Sequence, residues 1–84
     1  MAKYDPLKEY LQKMSPSRQK ITLSFAQINE IIGSELPYSA LNYPAWWSNE
    51  IDGKHVQAHA WEEAGWKVET VDFSKQRVRF VRSK

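Results

Sequence analysis

The sequence predicts an α+β fold of the winged-helix type, with the element order α-β-α-α-β-β and a small three-stranded antiparallel sheet. Two observations predict it. Apolar residues recur at helical spacing in three segments, and they alternate at strand spacing in one short early segment and two late ones. Because the early strand can pair with the late hairpin, the order is typical of a winged helix.

The first helix is predicted to begin at Asp5 and to end near Met14. Asp5 is a favourable N-cap and is followed by the proline that helices accept at their first position. Apolar residues then follow at helical spacing, and the Ser-Pro-Ser string at 15–17 ends the helix. Alternation and β-branching predict a very short strand at Ile21–Leu23.

The second helix is predicted to begin with a capping box formed by Ser24 and Gln27. It should end at Gly33, which takes a left-handed conformation without strain. The segment from 34 to 53 is less regular. A short helical turn is expected around 38–42 and an ordered loop after it, because two adjacent tryptophans are rarely left in water.

The third helix is predicted from about 54 to 64, with Gly65 as its end. On a helical wheel its outward-facing residues include Lys54, His55, Ala58 and Glu62. Two strands follow near 66–73 and 77–82, with a bulge at 70–71 and a turn at 74–76.

Composition restricts the class of function. With 84 residues the chain has room for a single domain, residues 1–84, and its four Trp, four Tyr and three Phe first of all predict an efficient core. The absence of cysteine excludes disulfides, thiolate metal sites and a thiol nucleophile, and it favours a cytoplasmic location. No apolar run approaches the length of a membrane span, so no membrane partner is expected.

Charge is distributed unevenly along the chain. Residues 21 to 53 contain no Lys or Arg, whereas the last eleven residues carry five and no acid. A basic end is typical of nucleic-acid binding, although a solvated strand has the same composition. The leading hypothesis is a module that binds double-stranded DNA, as a small regulator or a phage or mobile-element factor. Its contact residues would be Lys54, His55, Ala58 and His59 on the third helix, and Lys75, Arg77, Arg79 and Arg82 in the hairpin. Arg77, Arg79 and, after the strand, Arg82 are expected to line one face at the two-residue period.

Glu62 and Glu63 weaken the third helix as a DNA contact, because carboxylates repel phosphates. The alternative hypothesis is a protein-interaction module, an inhibitor or adaptor, that uses Trp46, Trp47 and Asn49 together with the acidic middle stretch. Adjacent residues of an extended loop point in opposite directions, so one tryptophan is expected to be buried and the other partly exposed. A homodimer is compatible with either hypothesis, but no sustained heptad predicts one.

Catalysis and metal binding find little support. His55 and His59 stand four residues apart on one helical face, but no third ligand is convincing, so no metal or cofactor is predicted. The chain has neither a Gly-rich phosphate loop nor a known nucleophile motif, and we therefore do not expect an enzyme.

Three strings resemble a family of small, uncharacterised prokaryotic domains: LPYSA at 36–40, YPAWWSN at 43–49 and HVQAHAWEEAGWKV at 55–68. With similar residues near both ends, the resemblance covers nearly the whole chain. The family has no established activity, so the resemblance implies no catalytic residue. His59 stands where the family more often has arginine, which removes a positive charge from the outward side of the third helix.

Overall fold

The computed structural model describes residues 3–49 and 57–83. The elements are α1 (Asp5–Gln12), β1 (Lys20–Ser24), α2 (Phe25–Ile32), α3 (Tyr38–Asn42), a 3₁₀ helix (Pro44–Trp47), α4 (Ala58–Glu62), β2 (Trp66–Asp72) and β3 (Arg77–Arg82). The predicted α+β class and element order are confirmed, with the short α3 and the 3₁₀ helix placed between the longer α2 and α4. Among the described residues, no helix has both the length and the apolar character needed to span a membrane.

The sheet has the order β1-β3-β2, and both pairings are antiparallel. The early strand therefore joins the late hairpin, as predicted. The bulge lies between Val68 and Thr70, one residue earlier than expected, and leaves Glu69 without an opposite residue on β3. Because an extra residue shifts the alternation of side chains by one, Thr70 and Asp72 come to lie on the same face as Arg79 and Arg77, their partners on β3.

Aromatic rings fill the core between the inner face of the sheet and the helices. Trp47, only 3 % exposed, stacks on Phe25 at 5.6 Å between ring centroids and on Trp61 at 5.9 Å. Trp61 in turn packs against Phe80 of the central strand. Trp46 is half-buried, so the expectation that one tryptophan of the pair is buried and the other partly exposed is confirmed.

Local signals at the helix ends operate mostly as the sequence predicts. The Ser24 hydroxyl accepts from the Gln27 N–H at 3.0 Å, and the Gln27 side chain accepts from the Ser24 N–H at 2.8 Å, which completes the capping box. Gly33 closes α2 with φ 74°. By contrast, α1 ends at Gln12 and has Tyr4 as its N-cap, so Asp5 already belongs to the helix.

Candidate nucleic-acid interface

The sheet presents one face to solvent, hereafter the outer face. Its side chains form three rows across the strands, because β3 pairs with β1 on one side and with β2 on the other. Read from β1 through β3 to β2, the rows are Lys20–Val81–Lys67, Thr22–Arg79–Thr70 and Ser24–Arg77–Asp72. Every strand thus contributes polar or basic side chains to the same surface.

Positive charge dominates the outer face. Lys20, Lys67, Arg77 and Arg79 are all exposed on it. The exposed Arg18 borders it, since it lines a surface groove together with Lys20 and Arg79. Side chains that project from neighbouring strands in this way lie close enough to contact one extended polyanion together.

Two carboxylates lie beside these cations. The Arg79 Nη1 atom is 3.5 Å from Glu69 Oε1, and both side chains are about half exposed. An ion pair this accessible to water is weak and is screened by salt, so it leaves Arg79 able to exchange its partner for a phosphate.

Asp72, the second carboxylate, acts as a cap for the hairpin turn. Its Oδ1 accepts from the Ser74 hydroxyl at 2.8 Å and from the Lys75 N–H at 3.0 Å. These two hydrogen bonds lower the pKa of Asp72, and the charges of Arg77 and Lys75 lower it slightly further. The carboxylate is therefore ionised at neutral pH and is engaged by its own turn.

A groove of about 300 Å³ lies in the middle of the outer face and is lined by Thr22, Thr70, Asp72, Arg77 and Arg79. Its lining consists of charged and hydroxyl-bearing side chains, whereas small-molecule pockets are mostly apolar. Guanidinium and hydroxyl groups are donors suited to phosphate oxygens. The groove can therefore hold an anionic group at the surface.

The turn between β2 and β3, which contains Lys75, contacts the first residue of α2. The Gln76 carbonyl accepts from the Phe25 N–H at 2.8 Å, and Phe73 packs edge-on against the Phe25 ring at 6.2 Å. Lys75 is exposed on this turn. The turn thus extends the basic surface as part of a rigid sheet.

Arg82 does not belong to this surface, and its predicted place beside Arg77 and Arg79 is wrong. Residues 78, 80 and 82 share the inner side of β3, because side chains alternate along a strand. The Arg82 guanidinium lies over the Trp66 ring, 4.2 Å from its centroid, and donates to the carbonyls of Ser15 at 2.8 Å and Arg18 at 2.9 Å. Arg82 therefore ties the loop after α1 to the end of the sheet.

The predicted contribution of the third helix is also largely corrected. Ala58 was expected to face outward, but it is 0 % exposed, because its small side chain lets α4 pack closely against the core. Lys54 and His55 lie outside the described residues. His59 is partly exposed, and its Nδ1 atom is 3.2 Å from Glu63 Oε2.

The Glu63 carboxylate, which directly follows α4, forms ion pairs with Lys8 on α1 and with His59 on α4. Lys8 Nζ on α1 lies 3.3 Å from Glu63 Oε1. The hydrogen bonds from Lys8 and then from His59, with the charge of Lys8, hold the pKa of the Glu63 carboxyl below its ordinary value. A surface of this composition is unfavourable for phosphate.

Asn49, predicted as a partner contact, instead serves an internal structural role. Its Oδ1 accepts from the Val68 N–H at 2.8 Å and from the Trp61 indole N–H at 3.0 Å, while its Nδ2 donates to the Val68 carbonyl at 3.0 Å. Trp47 is likewise unavailable, because it is buried and its indole N–H donates to the Ala40 carbonyl at 2.8 Å. Of the three predicted contact residues, Trp46 and Asn49 are partly exposed; Trp46 packs on Tyr4, and the carboxamide of Asn49 is engaged within the fold.

Sequence reasoning missed Lys20 and Lys67 as members of the basic surface. Both are paired with Val81, so they lie on either side of one residue of the central strand. The alternation within each strand could have placed each lysine on a solvent face. Their common row follows only from the long-range register, which no local pattern contains.

Together these features define a small α+β domain whose sheet has one face packed by aromatic rings and one face that is basic and exposed. The chain belongs to the family of domains of unknown function DUF7662, which it matches over residues 4–83. The resemblance to a family of small domains without an assigned activity is thereby confirmed. No curated protein and no solved structure gives a significant match to the chain.

Proposed function

We propose that the domain binds nucleic acid, with duplex DNA as the partner, by laying the outer face of its sheet against the phosphate backbone. The observation that carries this proposal is the convergence of Lys20, Lys67, Arg77 and Arg79 from three strands onto one exposed surface. The groove between Arg77 and Arg79 would seat one phosphate.

The structure favours a contact different from that of a typical winged helix. A recognition helix would have to enter a groove with its outer side, but α4 buries Ala58 and carries Glu62 and Glu63 near its C-terminal end. The outer face of the sheet, which includes the hairpin of β2 and β3, is the better-supported contact surface. We therefore propose a winged-helix-like domain that holds the backbone through its sheet.

Duplex binding is favoured over the binding of single strands. Proteins that bind single-stranded nucleic acid usually stack bases on exposed aromatic rings. Among the described residues, the rows of the outer face contain hydroxyl, carboxylate and cationic side chains and one valine, but no aromatic side chain. Backbone contact without base stacking is the mode that this surface allows.

The proposal is one of binding without catalysis. In a cell the domain would act in the cytoplasm as a small regulator or as a mobile-element factor that holds DNA. The competing hypothesis, protein binding through Trp46, Trp47 and Asn49, is weakened because two of these three side chains serve the fold.

Salt dependence gives the test. If four side chains contact phosphates, the logarithm of the binding constant should fall with the logarithm of salt concentration at a slope of about −3.6, which is roughly a 150-fold loss between 50 and 200 mM. Fluorescence anisotropy with a labelled random duplex measures this slope. The double variant Arg77→Ala/Arg79→Ala should reduce its magnitude by about 1.8.

A matched control removes the same charge elsewhere. Lys3 and Lys13 are exposed at the two ends of α1, and the double variant Lys3→Ala/Lys13→Ala should leave the slope nearly unchanged. Absence of binding at 50 mM salt, or equal slopes for the two double variants, would refute the proposal.

A further inference from the structure

A second surface of the domain is formed by Tyr38, Leu41 and Tyr43, hereafter the tyrosine surface. These side chains are 71 %, 38 % and 54 % exposed and are the large hydrophobic residues that the described part of the chain leaves most open to solvent. The two tyrosine rings meet edge to face, with their centroids 6.1 Å apart. Aromatic side chains placed in this way are typical of protein-binding hot spots.

The tyrosine surface stands on a rigid base. Ala40, between its residues, is fully buried, and its carbonyl accepts from the Trp47 indole N–H at 2.8 Å. The buried Leu36 precedes it, and the Leu36 N–H donates to the Asn29 side chain at 2.8 Å. Because the backbone is held on both sides, little conformational entropy would be lost when a partner binds.

The segment of the chain that carries this surface has acidic side chains and no basic ones. The sequence from 21 to 53 contains no Lys or Arg, and Glu30 and Glu35 are exposed within it. Glu35 lies three residues before Tyr38, so their Cα atoms are at most about 11 Å apart. Neither carboxylate forms an ion pair shorter than 4 Å with another described residue.

We propose that the tyrosine surface binds a segment of a partner protein in which arginine or lysine alternates with apolar side chains. A cation would lie over a tyrosine ring and be attracted by Glu35, while an apolar side chain would contact Leu41. Nucleic acid is disfavoured at this surface, because its phosphates would be repelled by the carboxylate of Glu35. The proposal does not depend on DNA binding, which uses the opposite charge and other residues.

Two synthetic peptides provide the probe: an eight-residue alternating Arg-Leu peptide and its Glu-Leu counterpart. Titration of ¹⁵N-labelled protein should shift the amide resonances of Tyr38, Leu41 and Tyr43 with the first peptide and leave them unchanged with the second. The double variant Tyr38→Ala/Tyr43→Ala should weaken binding of the Arg-Leu peptide by about 10-fold or more. Equal response to both peptides, or no effect of the double variant, would overturn the proposal.

Charge is tested separately in a variant that leaves the rings in place. Glu35→Gln should weaken binding of the Arg-Leu peptide by about two- to fivefold at low salt, and Glu9→Gln, an exposed carboxylate on α1, should not. Shifts of the tyrosine surface that appear on raising the protein concentration without peptide would show that a second copy of the chain is the occupant, and would refute a distinct partner. DNA affinity should be the same in the wild type and in the tyrosine double variant, so the two proposals fail independently.

Discussion

Replacement of Asn49 by alanine is expected to destabilise the domain by about 3 kcal/mol. β2 lies at an edge of the sheet, and the Asn49 carboxamide bonds to both the N–H and the carbonyl of Val68 in the manner of a further strand. The same oxygen accepts from the Trp61 indole N–H, whose side chain is fully buried. Alanine removes three hydrogen bonds and leaves the indole donor without its partner.

The magnitude follows from the net value of a hydrogen bond. Three bonds at about 1 kcal/mol each give about 3 kcal/mol, and the buried donor left unpaired places the loss toward the upper side of that figure. For a domain of 60 to 100 residues this corresponds to a fall in melting temperature of about 12 to 24 °C. Urea unfolding followed by tryptophan fluorescence measures the free energy, and circular dichroism measures the melting temperature.

Asn42→Ala is the matched control. The Asn42 side chain donates a single bond, to the exposed Tyr38 carbonyl at 2.9 Å, and its loss should cost about 1 kcal/mol or less. Asn49→Asp should fall between the two, since it keeps an oxygen acceptor and loses the Nδ2 donor. A value for Asn49→Ala no larger than that for Asn42→Ala would refute the structural role assigned to this side chain.

Three further predictions concern other parts of the fold. Arg82→Lys keeps the charge but loses the planar guanidinium that stacks on Trp66 and donates to backbone carbonyls, so the free energy of unfolding in urea should fall by about 1 to 2 kcal/mol. The salt slope of DNA binding should stay that of the wild type, and a reduced slope would contradict the structural role. Gly33→Ala should cost about 1 kcal/mol through backbone strain alone, because φ is +74° and no atom lies within 4 Å of the added Cβ; an unchanged midpoint in urea would contradict this. Glu63→Gln should lower the melting temperature slightly at pH 7, because the pKa of Glu63 is lowered chiefly by its bond to Lys8. A carboxylate whose pKa is lowered in the folded state stabilises the fold at pH values above its ordinary pKa, here 4.5. The difference between Glu63→Gln and the wild type should therefore disappear as the pH falls through the lowered folded pKa, and a difference that persists in acid would contradict the role of the ion pair.

Features encoded by a few adjacent residues were predictable. The capping box at Ser24 and the left-handed Gly33 depend on chemistry within one turn of helix, and both are present. The two late strands and their partnership with the early one follow from alternation and element order. The paired tryptophans were expected to differ in burial because adjacent residues of an extended loop point in opposite directions, and Trp47 is the buried one.

Features that depend on distant pairing were not predictable from local patterns. The row that contains Lys20 and Lys67 exists only because Val81 lies between them in the register of the sheet. Asn49 could be read as a contact residue because its polar side chain follows two tryptophans, whereas its true partners lie 12 and 19 residues further along the chain. Ala58 was misplaced because a small residue suits an outer face and a close helix contact equally well.

Arg82 is a different case, since the sequence itself contains the information that corrects it. Alternation along β3 places residue 82 with Val78 and Phe80, on the side opposite Arg77 and Arg79. The prediction placed Arg82 after the end of the strand, whereas β3 continues through Arg82. Side-chain alternation continued to the end of β3 places Arg82 on the inner side of the sheet.

Mapping of the DNA contact on the protein tests the central claim most directly. In a titration of ¹⁵N-labelled protein with a random duplex at 50 mM salt, the amides of Lys20, Thr22, Lys67, Arg77 and Arg79 should show the largest shifts, and added salt should reverse them. Shifts confined to α4 or to the tyrosine surface, or no shifts at all at this salt concentration, would contradict the assignment of the outer face as a nucleic-acid interface.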